Sequence, residues 1–230
     1  MLSNSTLPGT PFFTWPRPWV KDFLGNRKKL LFIPLAAVTF SFDEYEAKVR
    51  DVFTEMGHDL ESIHRQKDKI KAVEQAEGIV VGGGNTFALL ARLYSDNLLR
   101  PIREKIASGA PYIGWSAGAN LACPTIMTTN DMPVVQPPSF EALNLVPFQI
   151  NPHYHELKFE NQGGETRKER LEEFLMMNPS KRIIGLPEGM LLQRNGSKLT
   201  LQGNGIAKLY RTGQAVEELK PGQDLSRMLG

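Results

Sequence analysis

The sequence predicts an α/β fold: a mostly parallel sheet flanked by helices, with an antiparallel hairpin near the C-terminal end. Three observations lead there. Short unbroken apolar runs, Leu30-Leu31-Phe32-Ile33, Ile79-Val80-Val81 and Tyr112-Ile113-Gly114, suit strands buried on both faces, as parallel strands are. Segments with helical periodicity separate them, so strand and helix alternate as far as residue 189. The pattern then changes to Met190-Leu191-Leu192-Gln193 and Lys198-Leu199-Thr200-Leu201 around Asn195-Gly196, a strong hairpin signal.

Each element has its own punctuation. Arg27-Lys28-Lys29 precede the first strand and Pro34 ends it. Ser41-Phe42-Asp43-Glu44 fits a capping box, and the helix it opens puts Tyr45, Val49, Val52, Phe53 and Met56 on one stripe before stopping at Gly57. The run at 79–81 ends in Gly82-Gly83-Gly84. A helix carrying Phe87, Leu90, Leu93 and Tyr94 follows, and another starts at Pro101, a good first-turn residue, and ends at Gly109. Tyr112-Ile113-Gly114 leads at once into a small-residue helix start, Ala117-Gly118-Ala119-Asn120-Leu121. Residues 123–152 hold six prolines and little periodicity, which predicts a long irregular loop of the kind that carries function. Thr166 to Met177 reads as a charged helix with the stripe Leu171, Phe174, Leu175, and Arg182 to Leu186 as a buried strand. With no internal repeat and no linker, one domain over residues 1–230 is expected.

Composition narrows the function classes. The 230 residues are 41% hydrophobic and 23% charged, as in a globular protein. Lys plus Arg number 27 and Asp plus Glu 25, a formal charge of +2, so nothing electrostatic calls for nucleic acid or an anionic membrane. The one cysteine, Cys123, excludes an internal disulfide and a Cys-cluster metal site, and reads as a buried thiol. Residues 1–9 lack the basic and apolar regions of a signal peptide, and the longest apolar stretch, Leu30 to Phe42, is too short to span a bilayer. Cytoplasm is the expected location.

Gly114-Trp115-Ser116-Ala117-Gly118 is the most informative segment. The G-x-S-x-G pattern is short, but here it has a buried strand before it and a helix start after it, the context of a nucleophile elbow. Such a turn strains its central residue, lifts the serine hydroxyl above the carboxyl end of the sheet, and aims the Ala117 amide and the helix dipole at an oxyanion. Gly82-Gly83-Gly84-Asn85 lacks the marks of a P-loop or a dinucleotide fingerprint, and a second oxyanion amide is its chemically sensible use. A serine nucleophile needs a base. His58 and His64 belong to the early helix–strand connection, whereas His153 and His155 follow the elbow in Ile150-Asn151-Pro152-His153-Tyr154-His155, and spacing alone does not choose between them. Two carboxylates could orient the imidazole: Asp131 in a proline-rich loop, and Glu188 at the carboxyl end of the strand 183–186. Strand-end support favours Glu188.

Taken together, Gly82 to Phe87, Ile113 to Pro124, Thr129-Asn130-Asp131-Met132-Pro133, Ile150-Asn151-Pro152-His153, Gly164-Glu165-Thr166-Arg167 and Gly185-Leu186-Pro187-Glu188-Gly189 resemble the peptidase E family, serine dipeptidases that remove N-terminal aspartate. The resemblance runs in order over nearly the whole chain. It implies a fold like the class I glutamine amidotransferases, with Ser116 as nucleophile, His153 rather than His155 as base, Glu188 or Asp131 as the third member, and Arg167 as the binder of the substrate aspartate. It implies an oxyanion held by Ala117 and Gly84, and neither metal nor organic cofactor. The expected partner is a small Asp-X peptide, with no nucleic acid and no membrane, and a homodimer is compatible with the sequence. The rivals are a cyanophycinase-like hydrolase of β-aspartyl–arginine units and a non-catalytic sensor on the same fold. The chain departs from the family at its start, where relatives carry a few more apolar residues in a first strand, so a stub strand or an upstream start codon is expected. Residues 9–25, rich in Pro, Phe and Trp, depart as well.

Overall fold

The computed structural model describes residues 1–157 and 163–230. Its first half is built of α1 (Arg17–Leu24), β1 (Lys29–Ile33), α2 (Phe42–Glu55), β2 (Asp59–Ser62), α3 (Lys69–Gln75), β3 (Gly78–Val81), α4 (Thr86–Ser95), α5 (Leu99–Ala107), β4 (Tyr112–Gly114) and α6 (Ala117–Leu121). β5 (Gln149–Pro152), α7 (Arg167–Met177), β6 (Arg182–Leu186), β7 (Met190–Asn195), β8 (Lys198–Gly203), β9 (Ala207–Arg211) and β10 (Glu217–Leu219) follow.

The first four strands form a parallel sheet in the order β2-β1-β3-β4. Strand periodicity divides its side chains between two cores. Leu31, Ile33, Ile79, Val81 and Tyr112 pack on one face with α4 and α5 through Leu89, Leu90, Leu93 and Ile102. Leu30, Phe32, Val80 and Ile113 pack on the other with α1 and α2 through Val20, Leu24, Val49 and Phe53. That two-sided cover is why these runs read as continuous rather than alternating. The Ser41–Glu44 capping box forms as expected at the start of α2.

A second sheet, in the order β10-β9-β6-β5, pairs β5 with β6 in parallel and adds β9 and β10 antiparallel. β7 and β8 form a hairpin, and Leu2 makes isolated bridges to Trp115 and to Leu191, joining β4 to that hairpin. Residues 9–25 wrap an aromatic cluster around the sheet: Phe13 meets Trp115 edge-on at 5.2 Å and lies tilted against Phe53 at 5.5 Å.

Several expectations shift in detail. β5 lies inside the stretch expected to be irregular, because its residues Gln149-Ile150-Asn151-Pro152 show no apolar run although all four are buried. β9 and β10 extend the antiparallel part beyond the single hairpin. The hairpin turn is centred on Gly196-Ser197, since Asn195 still pairs with Lys198, and Gly196 carries the positive φ of 58° that a Gly-first tight turn requires. α5 begins at Leu99 rather than Pro101.

Cys123 is fully buried where α6 meets β5; its sulfur accepts from the Ile150 amide at 3.2 Å, and burial pushes the thiol up to about 12. A raised thiol value leaves no thiolate at neutral pH, so the native protein should resist a thiol reagent at pH 8 and react in urea. Rapid, stoichiometric labelling of the native protein would show that this junction opens without unfolding.

Candidate active site

Ser116 stands between β4 and α6 with φ 53° and ψ −111°, a region that costs roughly 1–3 kcal/mol for a side chain other than glycine. The turn is tight enough that a Cβ on Gly114 would lie 2.5 Å from the Gly118 carbonyl oxygen, and one on Gly118 2.6 Å from that of Val81. Glycine at both positions lets the elbow close. Behind it, Trp115 is stacked on Phe32 at 6.2 Å and donates its indole N–H to the Tyr45 hydroxyl at 3.0 Å. The same hydroxyl accepts the Gly83 amide, and burial pushes its ionisation well up. Tyr45 therefore ties the elbow to the Gly82-Gly83-Gly84 turn. A Cβ on Gly83 would stand 3.1 Å from Ser116 Cβ, so that turn lies directly against the serine, and Gly84 adopts φ 135° beside the Ala36 carbonyl. Ala117 is the first residue of α6, whose amide has no carbonyl one turn below to bond. With only five residues, α6 has little macrodipole, so that amide matters more than the dipole expected from the sequence.

The Ser116 hydroxyl donates to His153 Nε2 at 3.0 Å, and His153 Nδ1–H donates to Glu188 Oε1 at 2.7 Å. His153 leaves the end of β5 with φ 53°, which turns its ring from the second sheet toward the first. Glu188 sits in the three-residue connection between β6 and β7. His155 lies elsewhere: its Nδ1 is buried with no partner among the described residues.

Asp131, the other acid candidate, makes no hydrogen bond to His153. Its Oδ2 accepts from the Thr86 amide at 2.7 Å, the Thr86 hydroxyl at 2.5 Å and the Thr129 hydroxyl at 3.1 Å. Together with the Asn85 side chain, which donates to the Met132 carbonyl at 2.8 Å, it fastens the loop after α6 to the start of α4 and so to the Gly84 turn. Arg167, first residue of α7, donates to Asn130 Oδ1. Burial holds its guanidinium below the usual arginine range, Arg170 pushes the same way, and Asp131 opposes. Asn130 in turn donates to the Pro152 carbonyl at 2.7 Å, one residue before His153. The spacing of the sequence missed Asn130, and nothing in its surroundings marks it apart from its place beside Asp131.

The remaining histidines have structural partners. His58 Nδ1 bonds the Arg27 carbonyl at 2.6 Å. His64 lies between the Ser62 hydroxyl at 2.6 Å and Asp43 at 2.8 Å, a second serine–histidine–carboxylate line, but Ser62 is fully buried and out of a substrate's reach. A cavity of about 760 Å³ opens at the other end of β4, lined by Pro111, Tyr112 and Ile113, and Ser116, His153 and Glu188 are not among its walls. Among the described residues no helix is long and apolar enough to cross a membrane.

Fold and site together define a serine-type peptidase. The chain belongs to peptidase family S51, whose pattern matches residues 1–202. It is 47% identical over 230 residues to the peptidase E of Nostoc sp. (strain PCC 7120), covering 100% of this chain and 95% of that one. With the peptidase E of Shewanella sp. (strain ANA-3) it shares 44% over 229 residues, covering 100% and 97%. The crystal structure of a peptidase from an acI-B1 Actinobacterium superposes with a TM-score of 0.71 at 19% identity, covering 96% of this chain and 94% of that one. That of a putative peptidase E from Listeria monocytogenes EGD-e superposes with 0.58 at 24% identity, covering 92% and 96%. At those identities the superpositions establish the fold.

Asp131→Ala should lower unfolding free energy by about 1–2 kcal/mol, because two donors of Thr86 at the start of α4 and the Thr129 hydroxyl of the loop lose one part-buried acceptor. Urea unfolding measures it, and an unchanged midpoint and slope would show that the loop is held by other contacts.

Proposed function

We propose that this protein is a serine dipeptidase that hydrolyses dipeptides with N-terminal aspartate through an acyl-enzyme on Ser116. The observation that carries the reading is the unbroken line from Glu188 through His153 to the Ser116 hydroxyl, at 2.7 and 3.0 Å. Ser116 Oγ attacks the carbonyl carbon of the aspartyl residue while its proton passes to His153 Nε2. The amides of Ala117 and Gly84 hold the oxyanion that forms. Glu188 keeps the imidazole in the tautomer with its proton on Nδ1 and steadies the imidazolium, which returns the proton to the leaving amine. Water, activated by the same histidine, then attacks the ester carbonyl and releases aspartate, restoring the serine. The short Ser–His and His–Glu distances support these roles. His153 and Glu188 are 38% and 42% exposed, so their attraction is screened in the open site and the pair acts by orienting the ring.

Arg167 supplies the specificity in this reading. Among the described residues it has no carboxylate within ion-pair distance, and its bond goes to the neutral amide of Asn130. Among the described residues its charge is therefore not neutralised by a contact ion pair, Asp131 acting on it only from a longer distance, and a guanidinium can fork both oxygens of a short carboxylate. Aspartate is preferred over asparagine by charge, and over glutamate because one more methylene moves the scissile carbonyl off Ser116.

Ser116→Ala and His153→Ala should each lower kcat by about four to six orders of magnitude, and Glu188→Gln by roughly three to four, with the fold retained. His155→Ala should cost less than about 10-fold, having no place in the line. A larger loss for His155→Ala than for His153→Ala would overturn the base assignment.

Aspartyl p-nitroanilide should be hydrolysed far faster than its asparaginyl, glutamyl and leucyl counterparts. Arg167→Lys should lose most of that activity, and Arg167→Ala should lose more while bringing the Asp and Asn rates together. Unchanged discrimination in Arg167→Ala would mean that another cation reads the substrate.

A further inference from the structure

The segment Leu2-Ser3-Asn4 lies far from Ser116, His153 and Glu188 in sequence, yet each of its three residues bonds the backbone that carries one of them. The Ser116 amide donates to the Leu2 carbonyl at 3.1 Å, and the Leu2 amide donates to the Gly114 carbonyl at 2.8 Å. The His153 amide donates to the Ser3 hydroxyl at 2.8 Å. Gly189, the neighbour of Glu188, donates its amide to Asn4 Oδ1 at 3.0 Å. Ser3 is 0% and Asn4 3% exposed, so these bonds are not shared with bulk water.

The middle bond is the most telling. β5 and β6 stay in register up to Pro152 opposite Leu186, and His153 then bulges out of the ladder at φ 53° before the Tyr154 amide returns to the Leu186 carbonyl at 3.1 Å. Its N–H would be a buried donor without a strand partner. The Ser3 hydroxyl accepts from it and at the same time donates to the Leu186 carbonyl at 2.8 Å. A hydroxyl is the smallest side-chain group able to do both. Two of the site's three side chains thus stand on positive-φ residues, each held by a hydrogen bond from this segment.

We propose that Leu2-Ser3-Asn4 is a positioning strap that sets the spacing between Ser116 and His153, with Ser3 and Asn4 as positioning residues and not catalytic ones. The inference rests on the serine–histidine–glutamate reading given above. Leu2 fixes the first sheet's contribution, while Ser3 and Asn4 fix the two supplied by the second sheet and the hairpin. Without the Ser3 hydroxyl, the His153 amide loses its acceptor, the ring is free to relax from its strained turn, and Nε2 drifts from Oγ. Misplacement on the scale of 1 Å costs a reaction of this type about 100-fold while leaving distant substrate contacts intact.

The test compares wild type, Ser3→Ala and Ser116→Ala on the amino-acid p-nitroanilide that the wild type turns over best, each assayed well below the midpoint of its own melting curve. Ser3→Ala should lower kcat by about 10- to 100-fold with KM within about 2-fold of wild type, the split expected of a group that aligns the reacting atoms. A kcat within about 2-fold of wild type, or a loss carried by KM, would overturn the inference. Should Ser3→Ala fail to fold, Ser3→Cys, nearly isosteric but a poor acceptor, is read by the same criteria. Ser116→Ala separates the two levels of the argument. If it retains activity, the nucleophile reading fails; if it is inactive while Ser3→Ala is unaffected, the strap alone fails.

Discussion

The backbone conformation of Ser116 is the constraint on which the rest of the site depends. At φ 53° and ψ −111° the residue sits where L side chains are unwelcome, and it stays there only because its surroundings leave no room to relax. Tyr112, on the same strand, donates its hydroxyl to the Gly118 carbonyl at 2.7 Å and so clamps the helix side of the elbow. Trp115 is wedged among Phe13, Phe32 and Tyr45 on the opposite face. A well-packed core resists small displacements, so the strain is held as geometry: a hydroxyl standing clear of the sheet at its carboxyl end. The aromatic residues between 9 and 25, which have no part in the chemistry, are part of what keeps that hydroxyl in place.

The site is assembled across a seam. Ser116 belongs to the parallel sheet, His153 to the end of β5 in the second sheet, and Glu188 to the connection leading into the hairpin. Contacts across the seam are few and specific. Asn120 of α6 donates to the Ile150 carbonyl at 2.8 Å, the Thr128 hydroxyl donates to the same carbonyl at 2.9 Å, and Cys123 packs beneath. Each is buried, where a hydrogen bond left unmade costs the full desolvation of its partner. The two halves therefore have one favourable registration, and a change that loosens the seam reaches Ser116 and His153 without touching either.

Much of this was legible in the sequence, for identifiable reasons. β1, β3 and β4 are unbroken apolar runs because they are covered on both faces, and the Ser41–Glu44 box and the elbow glycines are local signals that need no tertiary knowledge. β5 was hidden because its buried residues are Gln, Asn and Pro as well as Ile, the Gln149 and Asn151 amide N–H groups donating to Thr125, Thr128 and Asn130, partners that no period reveals. The choice between Asp131 and Glu188 rested on strand-end support, and the geometry puts Glu188 at the imidazole and Asp131 at the start of α4. Both are acids in loops with neighbouring prolines, so composition could not separate them. Ser3 and Asn4 were out of reach altogether: their function is defined by atoms 150 and 185 residues away.

Recognition and chemistry share one run of hydrogen bonds in the proposed reading. Arg167 bonds Asn130, Asn130 bonds the Pro152 carbonyl, and the next residue is His153. Asn130 Oδ1 also accepts from Asn151 at 2.7 Å, so the amide that holds the arginine is itself fixed from the strand side. The choice of a neutral partner has a consequence. A carboxylate in place of Asn130 would hold the guanidinium as firmly, but it would neutralise the charge that has to meet the substrate and would repel the incoming carboxylate across a short gap. A lysine in place of Arg167 would have to divide a single ammonium between the amide and the substrate, without the planar fork that lets one edge be anchored while another stays open. Arginine anchored by asparagine is the combination that fixes direction and keeps charge. Because that anchor ends on the residue before the base, the distance from the bound carboxylate to Ser116 is set by the same short stretch of β5 that sets the position of His153.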